Sequence, residues 1–293
     1  MSLSQLDLLT RLRYLSLVSR RMGGSPLLAA ARRKLPGGGT EVTGCRDYAA
    51  GDDWRQIDWT WCARRDELLV KVFEGDVDRH VYLLLDSSPS MGFGRPSKLH
   101  LARRIAAALG YVSLVNLDRL GVAAFAHTLL AGLPPLGHVS RFGRLLEFLE
   151  GLVPQGARTD LARSAEVFVR RYPRPGPVVV LSDLYDPGGF QRGLDLLRHA
   201  GYEPRLVHLI DPADTETDFL GDMEIADVES QAAQQVTVTE RTVRRYRALV
   251  AEFRAGVGDY ARRHGLACMR FACDAAEDDV LLQALGARQI AGI

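Results

Sequence analysis

Residues 81–90, VYLLLDSSPS, restrict the possible folds more than any other stretch. Five apolar residues, Val81 to Leu85, run directly into Asp86 and a serine-rich turn. A run that is apolar at every position fits a strand buried on both faces, as in parallel sheets covered by helices. Residues 177–183, PVVVLSD, repeat the pattern and end in Asp183. Two such strands with helical periodicity between them predict an α/β fold whose neighbouring strand tips share one crevice. In open α/β sheets, ligands bind in the crevice beyond the carboxyl ends of the strands.

Asp86, Ser88 and Ser90 stand at alternate positions, with Pro89 stiffening the turn, so their oxygens can converge on one point. Carboxylate and hydroxyl oxygens are hard donors, which suit Mg²⁺, Ca²⁺ or Mn²⁺ and not Zn²⁺ or copper. The same residue types also serve as ordinary turn and cap residues.

At 293 residues the chain has room for one α/β core and a smaller appendage. A formal charge of +1, with basic residues spread along the chain, gives no electrostatic ground for nucleic-acid binding. Cys45, Cys62, Cys268 and Cys273 form no CxxC pair, which predicts free thiols in a reducing compartment. Asp7, Arg11 and Arg13 interrupt the N-terminal leucines, and no apolar stretch approaches membrane-spanning length. On these grounds a soluble, cytoplasmic protein without a membrane span is expected.

Residues 3–18 carry the apolar spacing of an amphipathic helix, and Pro36 to Gly39, PGGG, reads as a flexible break. Residues 46–65 hold Trp54, Trp59 and Trp61 among Asp52, Asp53, Arg55, Asp58, Arg64 and Arg65. This composition predicts a buried or half-buried network of Arg–Asp pairs under Trp rings, centred on Arg55 and Asp58. A strand at 68–73 leads to the one at 81.

Helices are then predicted over 98–117, 142–149, 161–172, 194–199, 241–264 and 279–285, and strands over 119–126, 205–210 and 266–272. Residues 223–228 and 235–239 read as a hairpin at the sheet edge. Thr159 opens the helix at 161, where its hydroxyl can either cap the helix or face a cation in the crevice. Asp186 is a weaker candidate on the Asp183 loop. The seven histidines form no ligand cluster and are expected on surfaces or at strand ends.

Asp86, Ser88 and Ser90, then Thr159, then Asp183, resemble the metal-ion-dependent adhesion site of von Willebrand factor A domains in order and topological position. RDYAAGDDWRQIDW, ARRDELLVKVFE, MEIADVES and LLQALGARQI narrow the resemblance to the family known as domain of unknown function fifty-eight. The resemblance implies an α/β, von Willebrand A-like, mostly parallel sheet flanked by helices. Residues 1–77 would form an N-terminal family-specific module, and 78–293 the A-like domain with a hairpin insertion near 219–239.

It further implies that Ser88 and Ser90 ligate Mg²⁺ (or Mn²⁺ or Ca²⁺) directly, that Thr159 joins them, and that Asp86 and Asp183 act largely through bound water. A protein partner's Asp or Glu carboxylate would fill the open coordination position. The expected function is that of a non-enzymatic adaptor, with a MoxR-type AAA+ ATPase as partner. A Mg²⁺-dependent phosphatase or other hydrolase using the Asp86/Asp183 crevice is the alternative. Phosphatases of the haloacid-dehalogenase kind carry a second Asp where Ser88 stands, and Walker, GxSxG and HExxH motifs are absent.

Overall fold

The computed structural model describes residues 25–28, 36–49, 52–65, 68–74, 79–156, 158–214, 220–226 and 233–286. They belong to two compact units, one of Ala31–Arg79 and the other of Met1–Ala30 with His80–Ile293. The helix expected at 3–18 lies outside the described residues.

In the smaller unit β1 (Pro36–Asp47) pairs antiparallel with β2 (Leu69–Glu74), and α1 (Trp59–Arg65) lies between them in sequence. PGGG is therefore the irregular start of a strand and not a break. The register slips between Pro36 and Glu41 and between Val42 and Gly44, and glycine tolerates the backbone geometry that such bulges need.

The expected aromatic network is also corrected. Trp54, Trp59 and Trp61 are exposed, at 63%, 58% and 40%. The two-pronged pair is Arg46 with Asp52, at 2.6 Å on both prongs, and not Arg55 with Asp58. Hydrogen bonding from Arg46 is the main cause that holds the Asp52 carboxyl down to about 2. Asp58 instead accepts the Thr60 and Trp61 amides at the start of α1, as short carboxylates do at helix starts. Arg55 lies over the Trp54 ring, 5.5 Å from its centroid.

The larger unit is built on a six-stranded sheet. Its elements follow in the order β3 (His80–Asp86), α2 (Lys98–Val115), β4 (Arg119–Phe125), β5 (Leu129–Leu136), α3 (Phe142–Glu150), α4 (Leu161–Arg171), β6 (Pro177–Ser182), α5 (Phe190–His199) and β7 (Glu203–Ile210). After β8 (Gly221–Ala226) and β9 (Ala233–Val238) come α6 (Glu240–Arg263), β10 (Cys268–Ala272) and α7 (Glu277–Ala284). The strand order is β10-β7-β6-β3-β4-β5, parallel throughout except for β5, which runs antiparallel to β4. This is the α/β, mostly parallel, helix-flanked architecture that the apolar runs predict.

The pleat of β3 divides the core. Val81, Leu83 and Leu85 pack in one apolar cluster with Ile105 and Leu109 of α2, Leu145 of α3 and Leu281 of α7. Tyr82 and Leu84 pack in the other with Phe168 of α4, Leu194 of α5 and Tyr260 of α6. Alternate side chains on opposite faces, both covered, explain why no polar residue interrupts the run.

One strand, one hairpin and one short segment fall differently from expectation. β5 contains Pro134 and Pro135 and lies at the sheet edge, where a missing backbone donor breaks no inner ladder bond. The hairpin β8–β9 forms its own two-stranded sheet and does not extend the edge of the large one. Ser25–Leu28 belongs with the larger unit, where the Ser25 hydroxyl donates to the Ala284 carbonyl at 2.6 Å and Leu27 is fully buried. The long helix α6 is capped by Thr239 and followed by Gly265 at φ +64°, but its first turns leave Tyr246 and Leu249 exposed.

The pairing of α4 with α5 depends on Gly193. A Cβ there would meet the Leu161 backbone, 2.8 Å from its carbonyl carbon and 2.9 Å from its oxygen. Gly193→Ala is expected to cost about 1–3 kcal/mol through overpacking. A lowered urea midpoint with an unchanged m-value is the expected readout.

Candidate functional site

The chain moves from β3 to β4 on one side of the sheet and from β6 through β7 to β10 on the other, so the strand order reverses between β3 and β6. Crevices form at such switch points, beyond the carboxyl ends of the strands. Asp86 is the last residue of β3, and Asp183 directly follows the last residue of β6. Leu85 pairs in register with Leu181, which puts the two carboxylates on adjacent strand tips.

Both are fully buried. Asp86 Oδ1 accepts the Ser88 amide at 2.9 Å, and Oδ2 accepts the Ser182 hydroxyl at 2.6 Å. Ser182 in turn accepts the Leu184 amide at 2.8 Å. Leu184 is held at φ +61°, a left-handed conformation that costs a branched residue about 1–2 kcal/mol. The hydrogen bond from its amide and its burial hold the turn that presents Asp183. Burial first, and the charge of Asp183 second, push the Asp86 carboxyl up to about 7, against the hydrogen bonds from Ser182 and Ser88.

Ser88 Oγ and Ser90 Oγ lie 3.0 Å apart on the loop after β3; Ser88 is fully buried and Ser90 partly exposed. Backbone contacts tie this loop to its neighbours. The Ser87 amide donates to the Phe125 carbonyl at 2.8 Å, and the Ser87 carbonyl accepts the Gln155 amide at 2.7 Å. Thr159, 4% exposed, follows on the same 155–160 loop. It is not the helix cap, because Asp160 takes that role by accepting the Arg163 amide at 2.8 Å. Asp186 Oδ2 accepts the Leu161 amide at 2.8 Å, so Asp186 joins the Thr159 and Asp183 loops as a structural brace.

Lys98 is the residue that sequence reasoning missed. Its ammonium donates to Asp183 Oδ2 at 2.6 Å, with side-chain exposures of 3% and 0% for the pair, and lies 5.4 Å from the centroid of the Tyr185 ring. The other Asp183 oxygen accepts the Tyr185 amide at 3.2 Å. A signal was available. Lys98 opens α2 directly after the Ser97 cap, where the helix dipole disfavours a cation, and Leu101 and Ala102 offer it no partner three or four residues on. A lysine so placed calls for a carboxylate from elsewhere in the fold.

His208 also departs from expectation. It is 1% exposed within β7, and burial is the main cause that lowers its pKa to about 4, so the ring is neutral at physiological pH. All four cysteines are free, as expected.

Beside the crevice a cleft of about 570 Å³ opens between Gly92, Phe93 and Arg95 of the β3–α2 loop, Asp211 after β7 and Asp274 after β10. Among the described residues no three His, Cys, Asp or Glu side chains are grouped to hold a metal. The crevice offers two carboxylates and several hydroxyls instead, with one ammonium already among them.

Comparison with known proteins locates the chain among bacterial relatives. Over 208 residues it is 28% identical to the "Uncharacterized protein Rv1480" of Mycobacterium tuberculosis, a match covering 70% of this chain and 65% of that protein. Among solved structures it is similar to the conserved hypothetical protein BatB of Bacteroides thetaiotaomicron, with a TM-score of 0.45, 16% identity and coverage of 70% of this chain and 96% of that one. An aerotolerance-related membrane protein of Bacteroides fragilis gives a TM-score of 0.44 and 18% identity over the same shares. A von Willebrand factor type A protein of Catenulispora acidiphila gives 0.37 and 14%, over 48% of this chain and 35% of that one.

These comparisons correct the expectation of a cytoplasmic protein, since the Bacteroides fragilis structure is described as that of a membrane protein. Among the described residues no helix is long and apolar enough to cross a membrane. The lack of an apolar span among the described residues is a local property and specifies no cellular address. The profile of the family described as "Protein of unknown function DUF58" matches residues 44–256, and the chain belongs to that family.

Proposed function

We propose that this chain is a non-enzymatic protein-binding module whose carboxyl-edge crevice takes a divalent cation, Mg²⁺ first and Mn²⁺ or Ca²⁺ as substitutes, and grips a partner's Asp or Glu side chain through it. The observation that carries this reading is the 3.0 Å separation of the Ser88 and Ser90 hydroxyls beside a buried carboxylate at the switch point. Neighbouring vertices of an octahedral shell with Mg–O bonds of about 2.1 Å stand about 3.0 Å apart. The raised pKa of Asp86 supports it too, since a carboxylate buried with too little positive charge is stabilised by an added cation.

Ser88 and Ser90 would hold the ion directly and Thr159 would join them, while Asp86 and Asp183 would supply the surrounding negative charge. A bound ion supplies a Lewis-acidic position for an oxygen from outside. Ser182 and the Ser88 amide keep Asp86 turned into the crevice, and the Leu184 turn does the same for Asp183. The cleft beside Phe93 and Arg95 gives the residues flanking a partner's carboxylate somewhere to lie.

The family resemblance extends the proposal to a MoxR-type AAA+ ATPase as partner. Binding of a purified MoxR-type ATPase from the same organism to the immobilised chain tests both parts. With Mg²⁺ present, retention is expected, and chelator or the Ser88→Ala/Ser90→Ala double variant should weaken it about tenfold or more. Retention indifferent to chelator and to the variant contradicts the ion; no retention under any condition contradicts the partner.

A further inference from the structure

We infer that Lys98 sets the crevice's affinity for divalent cations: its ammonium neutralises Asp183, so that Asp86 and the two serines alone attract an ion. The inference rests on the cation-binding reading above and specifies its control. Three observations carry it. Lys98 Nζ is 2.6 Å from Asp183 Oδ2 in a pair that is almost wholly buried, so water screens neither charge. Asp86 is on the adjacent strand tip, one β-ladder spacing away, so an ion held beside it lies within reach of the ammonium's field. Lys98 is fixed at the first turn of α2, with the Tyr185 ring on its other side, and so is not a lysine that swings into solvent when a second cation arrives.

With both carboxyls ionised, as they are against a bound cation, two carboxylates and one ammonium leave a single net negative charge among these groups. A crevice of that charge holds a divalent ion weakly by itself. An external carboxylate adds the missing charge, which makes ion and partner bind jointly. Without Lys98 the two carboxylates would hold the ion in the absence of any partner.

Mn²⁺ titration of the whole chain, followed by the loss of the free-ion spin-resonance signal, tests this in four proteins, with Ser88→Ala/Ser90→Ala as the control that marks binding at the crevice. Removing the ammonium with Lys98→Met should tighten Mn²⁺ binding about tenfold or more, and Mn²⁺ should raise the melting temperature of that variant further than that of wild type. Asp183→Asn should weaken binding by a similar factor. The double variant Lys98→Met/Asp183→Asn, with the net charge of wild type, should return to within about threefold of it.

If Lys98→Met does not fold, the comparison of Asp183→Asn with the double variant decides, and equal affinities there overturn the inference. Serine-dependent Mn²⁺ binding in wild type that Lys98→Met leaves unchanged overturns the role of Lys98 and leaves the cation site standing. Wild-type binding that saturates only at millimolar Mn²⁺, beside micromolar or tighter binding in Lys98→Met, supports the inference in its strongest form. If none of the four proteins binds Mn²⁺, the cation site falls and the inference with it.

Discussion

Asp183→Ala is expected to destabilise the protein by about 3–5 kcal/mol, because it strands the Lys98 ammonium in a buried site without a partner. Lys98 and Asp183 are 3% and 0% exposed, so neither water nor another described carboxylate at hydrogen-bond distance replaces the lost oxygen. The substitution also removes the acceptor for the Tyr185 amide in the left-handed turn at Leu184. At the scale of a domain of about 200 residues, the melting temperature should fall by roughly 10 °C or more. Adding Lys98→Met should recover most of the loss, since replacing both members of a buried ion pair is far milder than removing one. Thermal melts of the single and double variants, followed by circular dichroism, check this. A single variant within about 1 kcal/mol of wild type would mean that the pair carries little.

The neighbouring carboxylate should behave in the opposite way. Asp86→Asn is expected to stabilise the ion-free protein at about pH 8 by about 1–2 kcal/mol net, because Asn avoids the buried charge but replaces one of the two oxygens that accept from Ser88 and Ser182 with a donor. Asp86 is fully buried, and burial and the charge of Asp183 raise its folded pKa from 3.8 to about 7. A carboxyl whose folded pKa lies above its unfolded one contributes stability that is fully present below the unfolded value and is lost as pH rises through the folded one. Wild type should therefore lose stability between about pH 4 and pH 7, and Asp86→Asn should not. Urea midpoints across that range, without divalent ions, give the comparison. Added Mg²⁺ should raise the wild-type midpoint at neutral pH and leave the variant unmoved, the pattern of a site that sacrifices stability for binding.

The signs are opposite because the buried Lys98 ammonium pairs with Asp183 and not with Asp86. The frame of the crevice was legible because uninterrupted apolar runs at 81–85 and 177–181 admit little except doubly covered parallel strands, and each ends in an aspartate. Helix spacing in 98–117 and 241–264 is similarly direct, since a periodic face survives any rearrangement of loops. β5 was not legible, because Pro134 and Pro135 read as a loop unless the strand is known to be at an edge. PGGG was misread for a related reason, since glycine marks a bulged strand start as well as a break.

Within the site, Asp86, Ser88, Ser90, Thr159 and Asp183 could be picked out because their side chains follow strand ends or precede a helix. Lys98 could not be picked out by that rule. Its significance comes from a contact 85 positions away in the chain. The Thr159 hydroxyl had two possible roles on paper, and only the observed capping by Asp160 removes one of them. The Trp-rich segment misled because aromatic and charged residues in one stretch predict mutual burial, whereas its rings stand exposed and its strongest pair joins Arg46 to Asp52.

The most direct test of the cation site is anomalous diffraction from crystals of the whole chain grown with Mn²⁺ and recorded near the manganese edge. The account predicts a single strong peak at the carboxyl edge, within coordinating distance of both Ser88 Oγ and Ser90 Oγ, with Lys98 still on Asp183. A crevice with no peak, its serines hydrogen-bonded only to each other, would contradict it.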